Sequence, residues 1–352
     1  MYGSILLSLF GKLSILFIQI MICLSLAVID NYNKGVKKFI INGSDLKMLY
    51  KIKKQLKKSK LIRTSYSNLI NIYNKYVLTD IRFIQKSFVR NIGRQVNLES
   101  PKDFRDKLQW LKLYWYDPQA IKCADKYQVR EFIKKEVGHE YLNELYAVYD
   151  SEEEIDIATL PNSFVLKATH SSGYNFVCED KRLVDWKEKN KELRKWFEIN
   201  YFWNTREWVY KDIKPRIICE KYLSEDGNFT SLTDYKFYCF NGEPLYCQVI
   251  KDRESGGTID FFDSEWNHMK FTGLQKMPHS TEIIPKPDKL QEMLDISKKL
   301  SKTFPFVRVD FYYVNGKVYF GELTFFPRSG FGAFDPPEWN IKMGDLLNLP
   351  NN

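Results

Sequence analysis

At 352 residues, with 16% aromatic and 28% charged residues, the chain can bury a substantial core and hold two or three domains or subdomains, which excludes an intrinsically disordered protein. The net charge of +9 is unevenly spread: Asp30 to Arg90 carries 15 Lys/Arg against 3 Asp/Glu, and residues 91–352 are net −4. A mildly acidic body is not a nucleic-acid-binding module, and only the basic N-terminal segment has the charge to touch RNA or lipid. Six cysteines (Cys23, Cys123, Cys178, Cys219, Cys239, Cys247) show no C-x-x-C pair and no zinc spacing, so they read as reduced thiols of a cytosolic domain. Of the four histidines only His170 sits in a suggestive place.

Residues 13–29 carry no charge and, with Ile5 to Phe10, approach the roughly 20 apolar residues that cross a bilayer. Without a small-residue cleavage site this reads as a retained anchor at residues 5–29, held with the following lysines in the cytoplasm. A buried helix, or upstream sequence read from an early start codon, are the alternatives. A basic helical linker is expected over 31–94. Next comes a helix with Ser100 as N-cap, Pro101 as first helical residue, and Phe104, Leu108 and Leu111 as its apolar stripe. A second helix is expected from Ala120 to Val137, stopped by Gly138, and a strand from Tyr141 to Tyr149. Strands follow at Ser163–Thr169 and Asn175–Cys178, then an amphipathic helix at Asp185–Asn200. Arg216–Tyr222, Asp234–Phe240 and Pro244–Ile250 read as strands and Leu290–Ser301 as a helix. The mixture lacks a strict βαβ period, so the class is α+β.

The last predicted hairpin is the most informative part of the chain. Arg308-Val-Asp310-Phe-Tyr-Tyr-Val and Lys317 to Thr324 flank Asn315-Gly316, a pair that tolerates the positive φ of a tight turn. Alternation puts Arg308 with Asp310, and Glu322 with Thr324, so pairing across the turn offers one guanidinium and two carboxylates on one surface. Carboxylates so placed suit Mg²⁺, although a salt-bridged solvated hairpin would look the same. Three further segments bear on the choice. Lys167 lies inside the apolar strand Phe164-Val-Leu-Lys-Ala-Thr and needs an anion or a carboxylate there. The loop after it, Ser171-Ser172-Gly173, offers backbone N–H groups and hydroxyls suited to phosphates, without the G-K-[ST] of a P-loop. Glu220-Lys-Tyr-Leu223 ends a strand, and Asp234-Tyr-Lys236 puts an acid and a base on one strand face before the turn Asn241-Gly242.

Taken in order, the lysine strand, the Gly/Ser loop, Glu-Lys-Tyr-Leu, Asp-Tyr-Lys, Arg-Val-Asp-Phe and Gly-Glu-Leu-Thr resemble an ATP-grasp enzyme. The resemblance is strongest to the TupA-like group, named for a teichuronopeptide-biosynthesis protein, and spans about residues 95–348. Ser100-Pro101, Lys107-Leu-Gln-Trp110-Leu-Lys, Ala124-Asp-Lys-Tyr, Lys214-Pro-Arg216 and Phe304-Pro-Phe-Val share in it. It implies an ATP-grasp fold of two α+β subdomains gripping ATP, with an N-terminal subdomain at 95–160 described as a small α/β region. A lid subdomain would cover 161–225 and a metal-bearing C-terminal subdomain 226–352.

It also implies roles. Lys167 would contact ATP phosphates under a Ser171–Gly173 lid, Glu220 and Leu223 would flank the adenine, and Lys236 would lie near phosphate or ribose. Asp310 and Glu322 would bind Mg²⁺, and Arg308 would stabilise charge on an acyl-phosphate transition state. Thr324 stands where D-alanine ligase-like enzymes carry Asn, which puts a second metal in doubt, and Tyr174 stands where many lids are richer in glycine. Arg328, with Arg216, is a candidate for an acidic substrate. The implied reaction is ATP- and Mg²⁺-dependent carboxylate–amine ligation in surface-polysaccharide assembly, joining an amino acid to a sugar polymer or lipid-linked sugar. A glycosyltransferase of the same pathway is the alternative; no D-x-D occurs, although Asp260-Phe-Phe-Asp263 is arguable.

Overall fold

A computed structural model describes residues 78–225, 232–252, 256–275 and 277–350. The expected anchor at 5–29 and most of the basic linker lie outside the described residues, whereas residues 80–352 form a unit of their own. No helix among the described residues is long and apolar enough to cross a membrane. The unit opens with helices α1 (Asp80–Ile92), α2 (Phe104–Tyr114), α3 (Pro118–Ala124) and α4 (Val129–Glu136). Helix α2 starts later than Ser100-Pro101 suggests, because the Asp103 carboxylate caps it by accepting the Arg105 N–H at 2.8 Å. The single helix expected over Ala120–Val137 is two. Asp125 turns extended, and its buried carboxylate accepts the N–H groups of Tyr127 and Gln128, competing with helical hydrogen bonding.

Four antiparallel strands, β1 (Leu145–Tyr149), β2 (Phe164–Ala168), β3 (Asn175–Cys178) and β4 (Ile217–Lys221), form a sheet of order β1-β4-β2-β3. The strand expected from Tyr141 begins only at Leu145, after a short 3₁₀ turn at His139–Tyr141. Helix α5 (Trp186–Phe197), capped by Asp185, buries Leu193 and Trp196 with Phe164, Leu166, Ala168 and Ile217 in a core separate from the main one. Because β2 alternates, Leu166 and Ala168 belong to that core, and Lys167 faces the other way.

After the short α6 (Phe202–Thr205), the larger sheet has order β10-β9-β5-β6-β7, all antiparallel. Its strands are β5 (Asp234–Phe240), β6 (Glu243–Lys251), β7 (Thr258–Asp263), β9 (Phe306–Val314) and β10 (Lys317–Thr324). A two-stranded piece, β8 (Thr272–Gly273) with β11 (Phe334–Asp335), and helices α7 (Leu290–Ser301) and α8 (Trp339–Leu346) complete the unit. Strand β7 and helix α8 have no counterpart in the sequence reading. Both predicted turns form with left-handed backbone at Asn241, Gly242, Asn315 and Gly316.

The final hairpin departs from a simple ladder in one respect that matters. From Lys317 to Phe320 the register is that of a two-residue turn, which carried on would put Glu322 opposite Val309, on the wrong face. A bulge at Gly321 shifts it, so that Glu322 lies opposite Asp310 and Thr324 opposite Arg308. A β-carbon on Gly321 would come within 3.0 Å of the Asp310 carbonyl oxygen. Gly321→Ala is therefore expected to lower the unfolding free energy by about 1–2 kcal/mol through overpacking, measured by urea denaturation; a variant as stable as the parent contradicts this account of the bulge.

Candidate active site

Strands β5, β9 and β10 place five of the predicted site residues on one face. Lys236 lies opposite Asp310, which lies opposite Glu322, while Arg308 is flanked by Tyr238 and Thr324. The Asp310 carboxylate is buried and clamped from both sides: Arg308 donates through Nε and Nη2, each at 2.6 Å, and Lys236 Nζ donates at 2.6 Å. Lys236 also meets Asp234 at 3.0 Å. Arg308 Nη2 reaches Thr324 Oγ1 at 3.0 Å and Glu322 Oε1 at 3.4 Å, and the threonine hydroxyl donates to Glu322 Oε1 at 3.1 Å.

Electrostatics follow from that packing. For Arg308 burial opposes the charge, but the Asp310 carboxylate outweighs it and raises the pKa above its ordinary value. For Glu322 burial favours the neutral acid, yet Lys126, Arg308 and Lys236 overcome it and hold the carboxyl at about 2. About a third of this side chain is exposed, so it remains open to a ligand.

On the other sheet Lys167 finds its carboxylate. Its Nζ donates to Glu220 Oε2 at 2.8 Å, and Arg130 from α4 takes Glu220 Oε1 at 2.9 Å. Lys126, in the break between α3 and α4, bridges the two sheets, donating to the Ser171 carbonyl at 2.7 Å and lying 3.8 Å from Glu322 Oε2. Burial lowers its pKa while Glu322 works to raise it. Lys126, Arg130, Lys167, Glu220, Phe320 and Gly321 line a narrow crevice between the sheets. Lys126 and Arg130 were missed as site residues; Lys126 lies in the Ala124-Asp-Lys-Tyr segment that carries the resemblance, and Arg130, three residues beyond it, has no such signal.

The residues expected to form a lid are divided. Ser171 is buried while Ser172 and Gly173 are exposed, and Gly173 has positive φ. The side-chain oxygens of Thr169 and Ser171 and Nδ1 of His170 are buried without a hydrogen-bond partner. Leu223 lies half-buried in the loop after β4. Arg216, at the entry to β4, contacts Asp150 at 3.2 Å and Asp125 at 3.8 Å. Arg328 is exposed and makes no side-chain hydrogen bond or ion pair among the described residues.

Arg328 and Ser329 both have left-handed backbone, in a loop that follows β10 directly. Helix α2 holds that loop from below: Gln109 donates to the Ser329 and Gly330 carbonyls, and Lys112 to those of Ser329 and Thr205. The Ser329 hydroxyl donates to buried Glu207 at 2.6 Å. Burial pushes Lys112 down to about 8 and pushes Glu207 up, each opposed by the other's charge.

The residues fit the two groups that the sequence implies. Asp310, Glu322 and Thr324 present hard oxygen donors to one surface, the donor class of Mg²⁺. Three cations, Lys126, Arg130 and Lys167, line the crevice where phosphates would lie, and the carbonyl of Ser171 is held by the first of them. A smaller sheet carrying Lys167, flanked by Lys126 and Arg130 and set against a carboxylate-bearing sheet, is the arrangement of an ATP-grasp fold.

The chain belongs to the TupA-like ATP-grasp family, whose model matches residues 106–348. Family and fold are those of a ligase enzyme. No curated protein matches. Among solved structures, a D-alanine–D-alanine ligase from Bacillus anthracis shares 16% identity over 57% of this chain and 56% of its own, with a TM-score of 0.36. An L-amino acid ligase from Bacillus licheniformis shares 13% over 71% and 55%, TM-score 0.36, and a D-alanine–D-alanine ligase from Helicobacter pylori 12% over 70% and 70%, TM-score 0.35. The chain thus spans little more than half the length of the first two.

The Glu322 environment sets a pH dependence. Its folded value of about 2 lies below the ordinary 4.5, so its contribution to stability is fully present above about pH 4.5 and is lost as pH falls toward 2. The stability difference between the parent and Glu322→Gln is expected to be flat at neutral pH and to change only in that acid window. A difference that changes between pH 6 and 8 contradicts the assignment.

Proposed function

We propose that this protein is an ATP- and Mg²⁺-dependent carboxylate–amine ligase that builds an amide through an acyl phosphate during assembly of a cell-surface polysaccharide. The observation that carries the reading is the clamped Asp310–Arg308–Lys236 cluster with Glu322 and Thr324 beside it, and Lys126 standing 3.8 Å from Glu322 at the crevice to the smaller sheet. An amide bond does not form from a carboxylate anion and an amine unless an oxygen is first made a leaving group. A substrate carboxylate oxygen attacks the γ-phosphorus, the bond to the β-γ bridging oxygen breaks, and ADP leaves. The amine then attacks the acyl carbon, loses a proton, and expels inorganic phosphate.

Each part has residues suited to it. Lys167, Lys126 and Arg130 would neutralise the phosphates, and the Ser171–Gly173 loop would cover them and exclude water. Mg²⁺, held by Asp310 and Glu322 with Thr324 beside them, would supply neutralisation of the β- and γ-phosphate charge. Arg308, kept charged in a buried setting, would stabilise the negative charge that develops on the transferred phosphoryl group and the acyl oxygen. Glu220 and Leu223 would flank the adenine, and Lys236 would lie close to the phosphates. Arg328, whose side chain has no partner among the described residues, would receive an acidic acceptor, with Arg216 as a second candidate. The acceptor in this reading is a sugar-polymer or lipid-linked-sugar carboxylate and the donor amine an amino acid, with residues 5–29 anchoring the enzyme to the cytoplasmic face of the membrane.

The glycosyltransferase reading has no observation in its favour: Asp260 and Asp263 project from opposite faces of β7, and Asp263 accepts the Glu265 and Asn267 N–H groups in a turn. The test is ADP release from Mg²⁺-ATP in the presence of uronic-acid oligosaccharides, with hydroxylamine as the trapping amine. Hydroxamate formation matched to ADP is expected, and Arg308→Ala or Asp310→Asn should slow it by about 10²-fold or more. Release of UDP from a UDP-sugar, with no carboxylate-dependent ADP, overturns the proposal.

A further inference from the structure

Strand β7, at the far edge of the larger sheet, carries a side-chain cluster with no part in the ligase site. Asp260 is buried at 1% exposure and follows the face opposite to Asp310, three strands away, or roughly 14 Å at ordinary strand spacing. Its two oxygens are used differently. Oδ2 accepts the Ser280 backbone N–H at 3.0 Å, which fixes the carboxylate plane. Oδ1 faces His268 Nε2 at 2.8 Å and His279 Nδ1 at 3.0 Å.

The two imidazoles come from segments that fold back along β7. Met269 N–H donates to Phe261 and Ile259 N–H to Pro278, so His268 and His279 arrive on backbone already tied to the strand. Their rings lie 5.5 Å apart between centroids at 73°, and the three donor atoms lie within 4.8 Å of one another. Both rings are partly exposed, at 49% and 39% of their side-chain surface, so the cluster opens to solvent.

We infer that Asp260, His268 and His279 form a binding site for a borderline transition-metal ion of the Zn²⁺ class, distinct from the magnesium carboxylates. One monodentate carboxylate and two neutral imidazoles are the donor set such ions select over Mg²⁺. Bonds of about 2.0–2.2 Å in a tetrahedron need donors slightly farther apart than the present 2.8 and 3.0 Å, an opening of a few tenths of an ångström. The side chains at the cluster surface leave the fourth position to water. On binding, each imidazole gives up the proton it now directs at Oδ1 and keeps or gains one on its other nitrogen.

Neither of those other nitrogens has a protein partner among the described residues, and sites lacking such support bind about 10–100-fold more weakly than supported ones. The ion would pin the long, mostly irregular stretch between β7 and α7 onto the sheet edge, and so raise thermal stability in proportion to its occupancy.

The test uses the full chain, stripped with a chelator and then held in excess Mg²⁺ so that oxygen-donor sites are occupied. Zn²⁺ titration by calorimetry is expected to show one equivalent bound and a raised melting temperature. His268→Ala/His279→Ala should lose the binding at least tenfold while circular dichroism and Mg²⁺-ATP binding stay unchanged. Asp260 is buried, so Asp260→Asn serves only as a second variant. Co²⁺ substitution should give a spectrum without thiolate charge transfer, since the clustered donors among the described residues are Asp260, His268 and His279 and include no cysteine. Equal Zn²⁺ binding in parent and double variant, no binding by the parent, or a thiolate–Co²⁺ band overturns the inference.

Discussion

The ion clamp on Asp310 organises the larger sheet's functional face. A carboxylate this deeply buried is stable only because Arg308 and Lys236 both reach it, and removing one partner of such a buried pair costs about 3–5 kcal/mol. Lys236 in turn balances Asp234, and Arg308 extends to Thr324 and Glu322. Three carboxylates and the cations Arg308, Lys236 and Lys126 thus lie in one connected array. An array balanced this way binds neither sign of ion strongly by itself, but it accepts a metal and a polyphosphate together, because each neutralises the other.

The same array ties the two sheets to one another. Lys126 touches the loop after β2 through the Ser171 carbonyl and the carboxylate sheet through Glu322. It reaches both because Asp125 interrupts the helix one residue earlier. Glu220, held by Lys167 and Arg130, occupies the cations that phosphates would use. Phosphates binding there as proposed would compete with Glu220 for these cations.

Much of this was legible in the sequence where one periodicity ruled a segment. The spans Asp234–Phe240 and Leu290–Ser301 match the observed strand and helix end to end, and Asn315-Gly316 fixed the hairpin. Lys167 in an apolar strand pointed to a carboxylate partner, and Glu220 is that partner. What escaped depended on side chains acting against local pattern. Asp125 breaks a helix whose apolar spacing runs through it, and Asp103 caps one that Ser100-Pro101 seemed to start.

The Gly321 bulge escaped for a different reason. Alternation within each strand paired the right residues, but only an extra residue puts both pairs on one face, and a lone glycine is a weak cue. Strand β7, with Asp260 and Asp263 among its six residues, was too polar to read as a half-buried strand. Its histidine partners lie 8 and 19 residues from Asp260, beyond any local spacing rule.

The central claim is that the lid cations and the β9–β10 carboxylates make one Mg²⁺-nucleotide site. The direct measurement is calorimetric binding of a non-hydrolysable ATP analogue to the full chain, with and without Mg²⁺, beside Asp310→Asn/Glu322→Gln and Lys126→Ala. The account predicts Mg²⁺-dependent binding that both variants weaken, the first abolishing the metal dependence. Binding of a UDP-sugar instead, or analogue affinity indifferent to Mg²⁺ and to both variants, would contradict it.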